Sequence, residues 1–314
     1  MSGEPAPDRV VHEVVPAALD GERLDRVVAM LTDRSRAEVA ALIGAGAVQV
    51  GDRVARVRSA RVAAGDEVHV ALGPDPGAAS LEPDPTVVVP VVYEDEHLLV
   101  VDKPAGLVVH PGAGRSTGTL VHGLLARHPE LVGVGPDPVR PGIVHRLDKG
   151  TSGLLVVART SRAHAALVAA LAAHEVRRRY LALVWGHPDA TQGLVDAPIG
   201  RSPREPTRMA VTEGGRPART AYVVRHRFTQ PVEVAELGCE LETGRTHQIR
   251  VHLSSIGHPV VGDDRYGGAR PSLAVDRPFL HAEALDLDHP VDGRRLSFAV
   301  PPPADLVEVR ARLS

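Results

Sequence analysis

The densest set of reactive side chains in the chain is Pro141-Gly142-Ile143-Val144-His145-Arg146-Leu147-Asp148-Lys149-Gly150-Thr151-Ser152-Gly153. A buried-looking apolar strand on each side is interrupted by a polar loop that gathers a carboxylate, cations, hydroxyls and glycines. A carboxylate placed this way can serve as a nucleophile, a general base or a metal ligand. The plain alternative is an aspartate that caps a turn with Thr151 and Ser152.

The sixteen histidines invite a metal hypothesis. Their spacing does not support a catalytic metal: there is no His-Glu-x-x-His helix, and His247 and His252 stand too far around a helix to converge on one ion. His145 and His247 are expected to brace their loops by hydrogen bonds. The pairs Gly112/Gly114 and Gly214/Gly215 lack the spacing and lysine of a phosphate loop and read as turns.

The elements that must position these groups fall into two sets. Leu24, Val27, Val28 and Leu31 recur at helical spacing, and Ser35 can cap a second helix that ends at Gly44 and Gly46. Val48 and Val50, the Gly51-Asp52 turn, and Val54 and Val57 read as a hairpin, followed by a strand over Glu67–Leu72. Gly73–Pro85 carries four prolines and two glycines and reads as a linker. Beyond it, strands are predicted over Val87–Tyr93, Leu98–Val101, Leu107–His110, Gly153–Ala158, Arg179–Trp185, Ala221–Phe228 and Val232–Leu241. Helical spacing marks Ser161–His174, with Leu167 and Leu171, and Thr246–Ile256, with Ile249, Leu253 and Ile256 on one face. The fold class is α+β: a small αβ domain over residues 12–74, a linker over 75–86, and a mixed, mainly antiparallel-sheet domain with a central cleft over 87–314.

The chain has 314 residues, enough for a core without disulfides, and its one cysteine, Cys239, excludes a disulfide scaffold and an iron–sulfur cluster. A reducing cytoplasm fits. The longest run without polar side chains, Ala165–Ala173, is too short to span a bilayer, and no targeting segment is visible. The net charge of −3 hides a basic stretch: between Arg23 and Ala63 there are eight arginines against four acids. Lys103 and Lys149 are the only lysines. Almost every cation is therefore an arginine, whose planar fork suits phosphates and base edges.

Taken together, these residues resemble a known family. His145-Arg146-Leu147-Asp148 followed by Thr151-Ser152-Gly153 is similar to the active-site loop of RluA-type pseudouridine synthases. Arg179-Tyr180 resembles the tyrosine strand of that family, and Gly244-Arg245-Thr246-His247-Gln248-Ile249-Arg250-Val251-His252 resembles its basic helix. The likeness continues through Gly257-His258-Pro259-Val260-Val261-Gly262-Asp263 and Leu280-His281-Ala282, and covers about residues 87 to 303. The segment Arg23–Leu72, with Arg23-Leu24-Asp25, Ser35-Arg36 and Val50-Gly51, resembles the RNA-binding domain named after the ribosomal protein S-four. Val50 and Arg179 stand where the two families usually carry Asn and Lys.

The resemblance implies an RNA pseudouridine synthase in which Asp148 is the essential catalytic residue. No cofactor is implied, because the reaction gains and loses no group and has no redox step. Resemblance places Arg250 against Asp148, and an opposite charge at that range lowers a carboxyl pKa by about one to three units. It makes Tyr180 the ring that stacks on the target base, and Arg146 the residue that fills the gap left when the base is flipped out. Without the resemblance, Arg250 is a surface arginine, Tyr180 a core residue and Arg146 a partner for an acid such as Asp102. Arg23, Arg26 and Arg36 are the expected phosphate contacts of the N-terminal domain. The implied partner is RNA, large-subunit ribosomal RNA first and transfer RNA second; a monomer is expected because the sequence shows no extended apolar surface helix. Two other functions compete: a non-catalytic RNA-binding assembly factor on the same fold, and a glycosidic-bond hydrolase pairing Asp148 with Glu242.

Overall fold

A computed structural model describes residues 10–32, 36–72, 81–112, 115–205 and 207–314, with backbone only for 36 and 37. The chain divides into two compact units, Met1–Ser80 and Leu81–Ser314.

In the first unit, β1 (Val10–Val14) precedes helices α1 (Leu24–Thr32) and α2 (Arg36–Gly44) and strands β2 (Val48–Val50), β3 (Arg53–Val54) and β4 (Glu67–Ala71). Leu24, Val27 and Val28 fall on one face of α1 and are fully buried with Val39, Ile43, Val48, Val68 and Val70. One small core thus joins both helices to the sheet, as the helical and alternating spacings require. The Gly51-Asp52 turn joins β2 to β3, but the hairpin stops at Val54, and Val57 is exposed. The sheet order is β1-β4-β2-β3. Strand β1 has no counterpart among the predicted strands; its alternation is weak because only Val11 faces inward, yet it pairs with β4 from Val10↔Ala71 to Val14↔Glu67. The Ser35 cap lies outside the described residues.

The second unit begins earlier than the sequence implies. Leu81 packs on its core and the Asp84 amide donates to the His122 carbonyl. Residues 81–86, assigned to the linker, are therefore part of this unit, because an apolar side chain has a core to enter; 75–80 lie outside the described residues. The elements that follow are β5 (Val91–Glu94), β6 (Leu98–Lys103), α3 (Leu120–Arg127), β7 (Ser152–Ala158), α4 (Ser161–Ala172), β8 (Arg177–Trp185) and β9 (Gln192–Asp196). Next come β10 (Ile199–Arg201), β11 (Met209–Val211), β12 (Arg219–Phe228), β13 (Val234–Leu241), α5 (Gln248–Ser255), β14 (Leu280–Asp288), β15 (Arg295–Ala299) and α6 (Ala304–Ala311). Nine strands form the main sheet in the order β5-β6-β7-β14-β8-β13-β12-β9, with β15 paired to β14. All its neighbours are antiparallel except β7 and β14.

Leu107–His110 is not a strand. The carbonyls of Val108 and Val109 instead accept from the amides of Leu120 and Val121, the free N-terminal donors of α3. β5 starts at Val91 rather than Val87, after Pro90, which has no amide to give a ladder. The helix predicted to Ile256 ends at Ser255, leaving Ile256 exposed while Ile249 and Leu253 are buried.

The parallel junction between β7 and β14 is unusually close. Gly153, the second residue of β7, has φ of +111°, and a Cβ there would lie 2.3 Å from the Ala282 carbonyl oxygen. Only glycine lets β7 come this near to β14. Ser152 Oγ and His281 Nδ1, 3.0 Å apart, close the same junction. The loop before β7 therefore emerges at the middle of the sheet.

Candidate active site

Leu147 is 4% exposed and sits in the main core, whereas Arg146 is exposed and Asp148 half-buried. Burying the leucine turns its two neighbours toward the cleft. The main chain of the loop is tied down: Gly106 N donates to Lys149 O at 2.7 Å, Arg277 Nη1 to Gly150 O at 3.0 Å, and Thr151 N to Asp148 O at 3.0 Å. Lys103, wholly buried at the end of β6, donates through Nζ to Pro104 O at 2.9 Å and Leu107 O at 2.8 Å. Burial pulls its pKa down to about 7, against the charge of Asp148.

The Asp148 carboxylate does not cap its own turn. It is met from α5 by Arg250, whose Nη1 donates to Oδ2 at 3.1 Å. Arg250 is itself held by Asp263, which accepts from Nε at 2.6 Å and from Nη2 at 2.8 Å. This second carboxylate is completely buried, and its Oδ1 also accepts from the amides of Arg265 and Tyr266. Gly262 makes the turn possible: its φ is +79° and a Cβ would meet the Arg277 carbonyl oxygen at 2.1 Å. The Tyr266 ring lies 5.1 Å from the guanidinium carbon, and its hydroxyl is 2.8 Å from His247 Nδ1. Burial alone would lower the Arg250 pKa, but hydrogen bonding and charge from Asp263, followed by Asp148, more than offset it. The guanidinium is a permanent cation oriented by two anions.

Helix α5 presents Arg250 because its other face is fixed. His247 starts it in the left-handed region at φ 57°. Gln248, buried, accepts from Thr243 Oγ1 and Arg245 N and donates to Arg219 O and Thr220 Oγ1. His252 is fully buried between Thr220 Oγ1 and Ala197 O, each 2.9 Å away. His252 thus braces the helix. His145 likewise accepts from Val156 N at 3.1 Å, and burial, aided by the charge of Arg178, pulls its pKa down to about 3. It is a neutral brace.

A cleft of about 390 Å³ is lined by Asp148, Arg146, Tyr180, His145, Arg178 and Arg250 among others. Tyr180 is 4% exposed and borders the cleft; burial raises its hydroxyl pKa. A second cavity of about 1030 Å³ also borders Asp148 and Arg250, and carries Lys149, Arg265, Arg277 and Arg312. Arg146 makes no hydrogen bond or ion pair with any described residue, Asp102 included. The structure brings Asp148, Arg146, Tyr180 and Arg250 to one cleft. Glu242, the candidate second acid for a hydrolase, is instead engaged by Arg219 at 2.6 Å.

The N-terminal arginines divide differently. Arg23 pairs with Asp25 at 2.7 Å and Arg26 with Glu22 at 3.2 Å, while the side chain of Arg36 lies outside the described residues. Arg53, Arg56 and Arg58, in and just after β3, are exposed. Sequence reasoning counts them in the basic stretch without singling them out, and gives no role to Asp263, Tyr266, Lys103 or Arg178. For Asp263 a signal exists, the first of two acids after Gly262 within the resembling region. For Lys103 it is the presence of one of only two lysines at a strand end.

Among the described residues, no helix is long and apolar enough to cross a membrane. The family model for RNA pseudouridylate synthase matches residues 97–255, and that for the S4 domain matches residues 22–68. A ribosomal large subunit pseudouridine synthase D from Xanthomonas campestris pv. campestris is 43% identical across all of this chain and 95% of its own length. An RNA pseudouridine synthase of Chloroflexus aurantiacus is 48% identical across all of this chain and 98% of its own. Among solved structures, the human RNA pseudouridylate synthase domain containing protein 1 superposes with a TM-score of 0.58 at 31% identity, covering 74% of this chain and 91% of its own. With the matched model spanning half the chain and full-length relatives above 40% identity, the chain belongs to the RNA pseudouridylate synthase family, and is an isomerase of RNA carrying an S4 domain.

Proposed function

We propose that this enzyme isomerises specific uridines of large-subunit ribosomal RNA, with Asp148 as the essential residue. The carrying observation is that the Asp148 carboxylate is turned away from its own loop into the cleft and held there by Arg250. An enzyme needing a turn cap would not bury a second carboxylate to hold that arginine. In the reaction the C1′–N1 bond of the nucleotide breaks, the freed uracil turns, a C1′–C5 bond forms, C5 loses its proton and N1 gains one. Asp148 either attacks C1′, forming an ester that C5 then displaces, or takes the proton at C2′ and returns it as the C1′–C5 bond forms, and both roles require the ionised form.

A stacked base cannot reach a carboxylate, so the uridine leaves the stack, at a few kcal/mol. Arg146, unpaired and at the mouth of the cleft, is the side chain that takes its place; Tyr180 offers its ring to the base. The N-terminal unit captures RNA and raises its concentration at the catalytic unit, which begins at Leu81. The names of the relatives support ribosomal RNA as substrate.

The test maps carbodiimide-dependent reverse-transcription stops in ribosomal and transfer RNA from cells with wild-type protein or Asp148→Asn. Stops at a few ribosomal uridines that vanish in the mutant support the proposal. Vanishing transfer-RNA stops would move the substrate, and unchanged stops with RNA binding retained would leave an assembly factor.

A further inference from the structure

On the outer face of the N-terminal sheet, strand pairing sets His12 of β1 directly opposite His69 of β4. Glu67 lies two residues before His69, on the same face of its strand. The two imidazoles are stacked, with centroids 4.1 Å apart and planes within 12°, so one ring must turn before both Nε2 lone pairs can meet at one ion. Each Nε2 stands 3.6 Å from the same oxygen, Oε2 of Glu67. One donor atom from each residue lies within 4.8 Å of the others, a convergence found in no other group of such residues among the described ones.

A separation of 3.6 Å is long for a hydrogen bond. It is the spacing of two ligands about 2.1 Å from a shared centre and opened to about 118°, close to the geometry that zinc adopts with nitrogen and oxygen donors. We propose that His12, Glu67 and His69 bind a divalent first-row transition-metal ion of the zinc type, with the remaining coordination position open to solvent. Two imidazoles exclude the all-oxygen preference of calcium and magnesium. Such an ion would fasten β1, which adds only Val11 to the core, onto β4. The site lies on the N-terminal unit and needs no part of the proposed catalytic reading.

The experiment uses the full chain without an affinity tag of histidines. Cobalt(II) titration followed by visible absorption, then displacement by zinc, should show a single saturable site in the wild type. The double variant His12→Ala/His69→Ala keeps fourteen of the sixteen histidines and should lose that site. Glu67→Gln should weaken it by about tenfold or more. Zinc should raise the thermal midpoint of the wild type and leave that of the double variant unmoved. All three side chains are at least one-third exposed, so the substitutions spare the fold, which circular dichroism checks. Absence of saturable binding below about 0.1 mM, or equal binding by wild type and double variant, overturns the proposal.

Discussion

Arg250 lies between two carboxylates that it does not hold equally, and replacing each by asparagine should separate their roles. Asp263 makes two short bonds to the guanidinium and is fully buried, whereas Asp148 makes one of 3.1 Å and is 17% exposed. Asp263→Asn removes a buried charge and turns an amide donor toward guanidinium donors. Breaking a buried pair costs about 3–5 kcal/mol, and the lower end applies because Asp148 still faces Arg250. In a unit of this size about 3 kcal/mol lowers the melting temperature by roughly 6–12 °C. Asp148→Asn leaves the Arg250–Asp263 pair complete and neutral, so stability should change by no more than about 1 kcal/mol. Activity should divide in the opposite sense. Asp148→Asn should give no detectable isomerisation, while Asp263→Asn should keep a residual rate about a hundredfold below wild type, the effect of a misplaced catalytic group. Calorimetry and single-turnover isomerisation of a uridine-containing RNA read both quantities. If Asp148→Asn unfolds as early as Asp263→Asn, or Asp263→Asn melts with the wild type, the division of labour between the two carboxylates is wrong.

Other side chains carry further expectations. Tyr180→Phe keeps the buried ring and should fold normally with measurable turnover, whereas Tyr180→Ala opens a cavity and should cost about 3–5 kcal/mol as well as activity, both visible by denaturation and rate assays. Arg146→Ala should leave the urea-derived stability within about 0.5 kcal/mol of wild type while lowering kcat/KM, since no described residue partners it. Lys103 holds its proton to pH 10.5 when unfolded but only to about 7 when folded. The unfolded chain therefore binds the extra proton between these values, and stability should climb with pH there by up to about 1.4 kcal/mol per unit. The climb is best followed from pH 7 to 9, before the Cys239 thiol, pushed up to about 12 by burial, opposes it; Lys103→Met should remove it. Replacing Arg53, Arg56 and Arg58 together by Ala should lower RNA affinity and flatten its salt dependence more than replacing Arg23 and Arg26, which already have acidic partners.

Hydrophobic spacing is enough to mark the elements that carry the site. The helix holding Arg250 follows from its helical spacing, and the strand holding Tyr180 and the strand after Asp148 follow from continuous apolar runs, because those strands are buried on both faces. Elements whose pattern is weak or interrupted escape it: β1 with a single inward valine, the short β10 and β11, and the apolar Leu107–His110, which serves a helix end instead of a ladder.

The sequence by itself determined which residue types were available and, through the order of its motifs, the family and the kind of reaction. Type and spacing along the chain are local properties, and a polar loop between apolar strands is legible in them. What only the tertiary structure decided is which of those groups meet. Asp148 and Arg250 are 102 residues apart, and His12 and His69 lie on opposite sides of a strand pairing. Asp263 reads as an ordinary turn acid until the fold buries it completely beneath Arg250. Charges interact through space and burial, and neither distance nor dielectric is written along the chain.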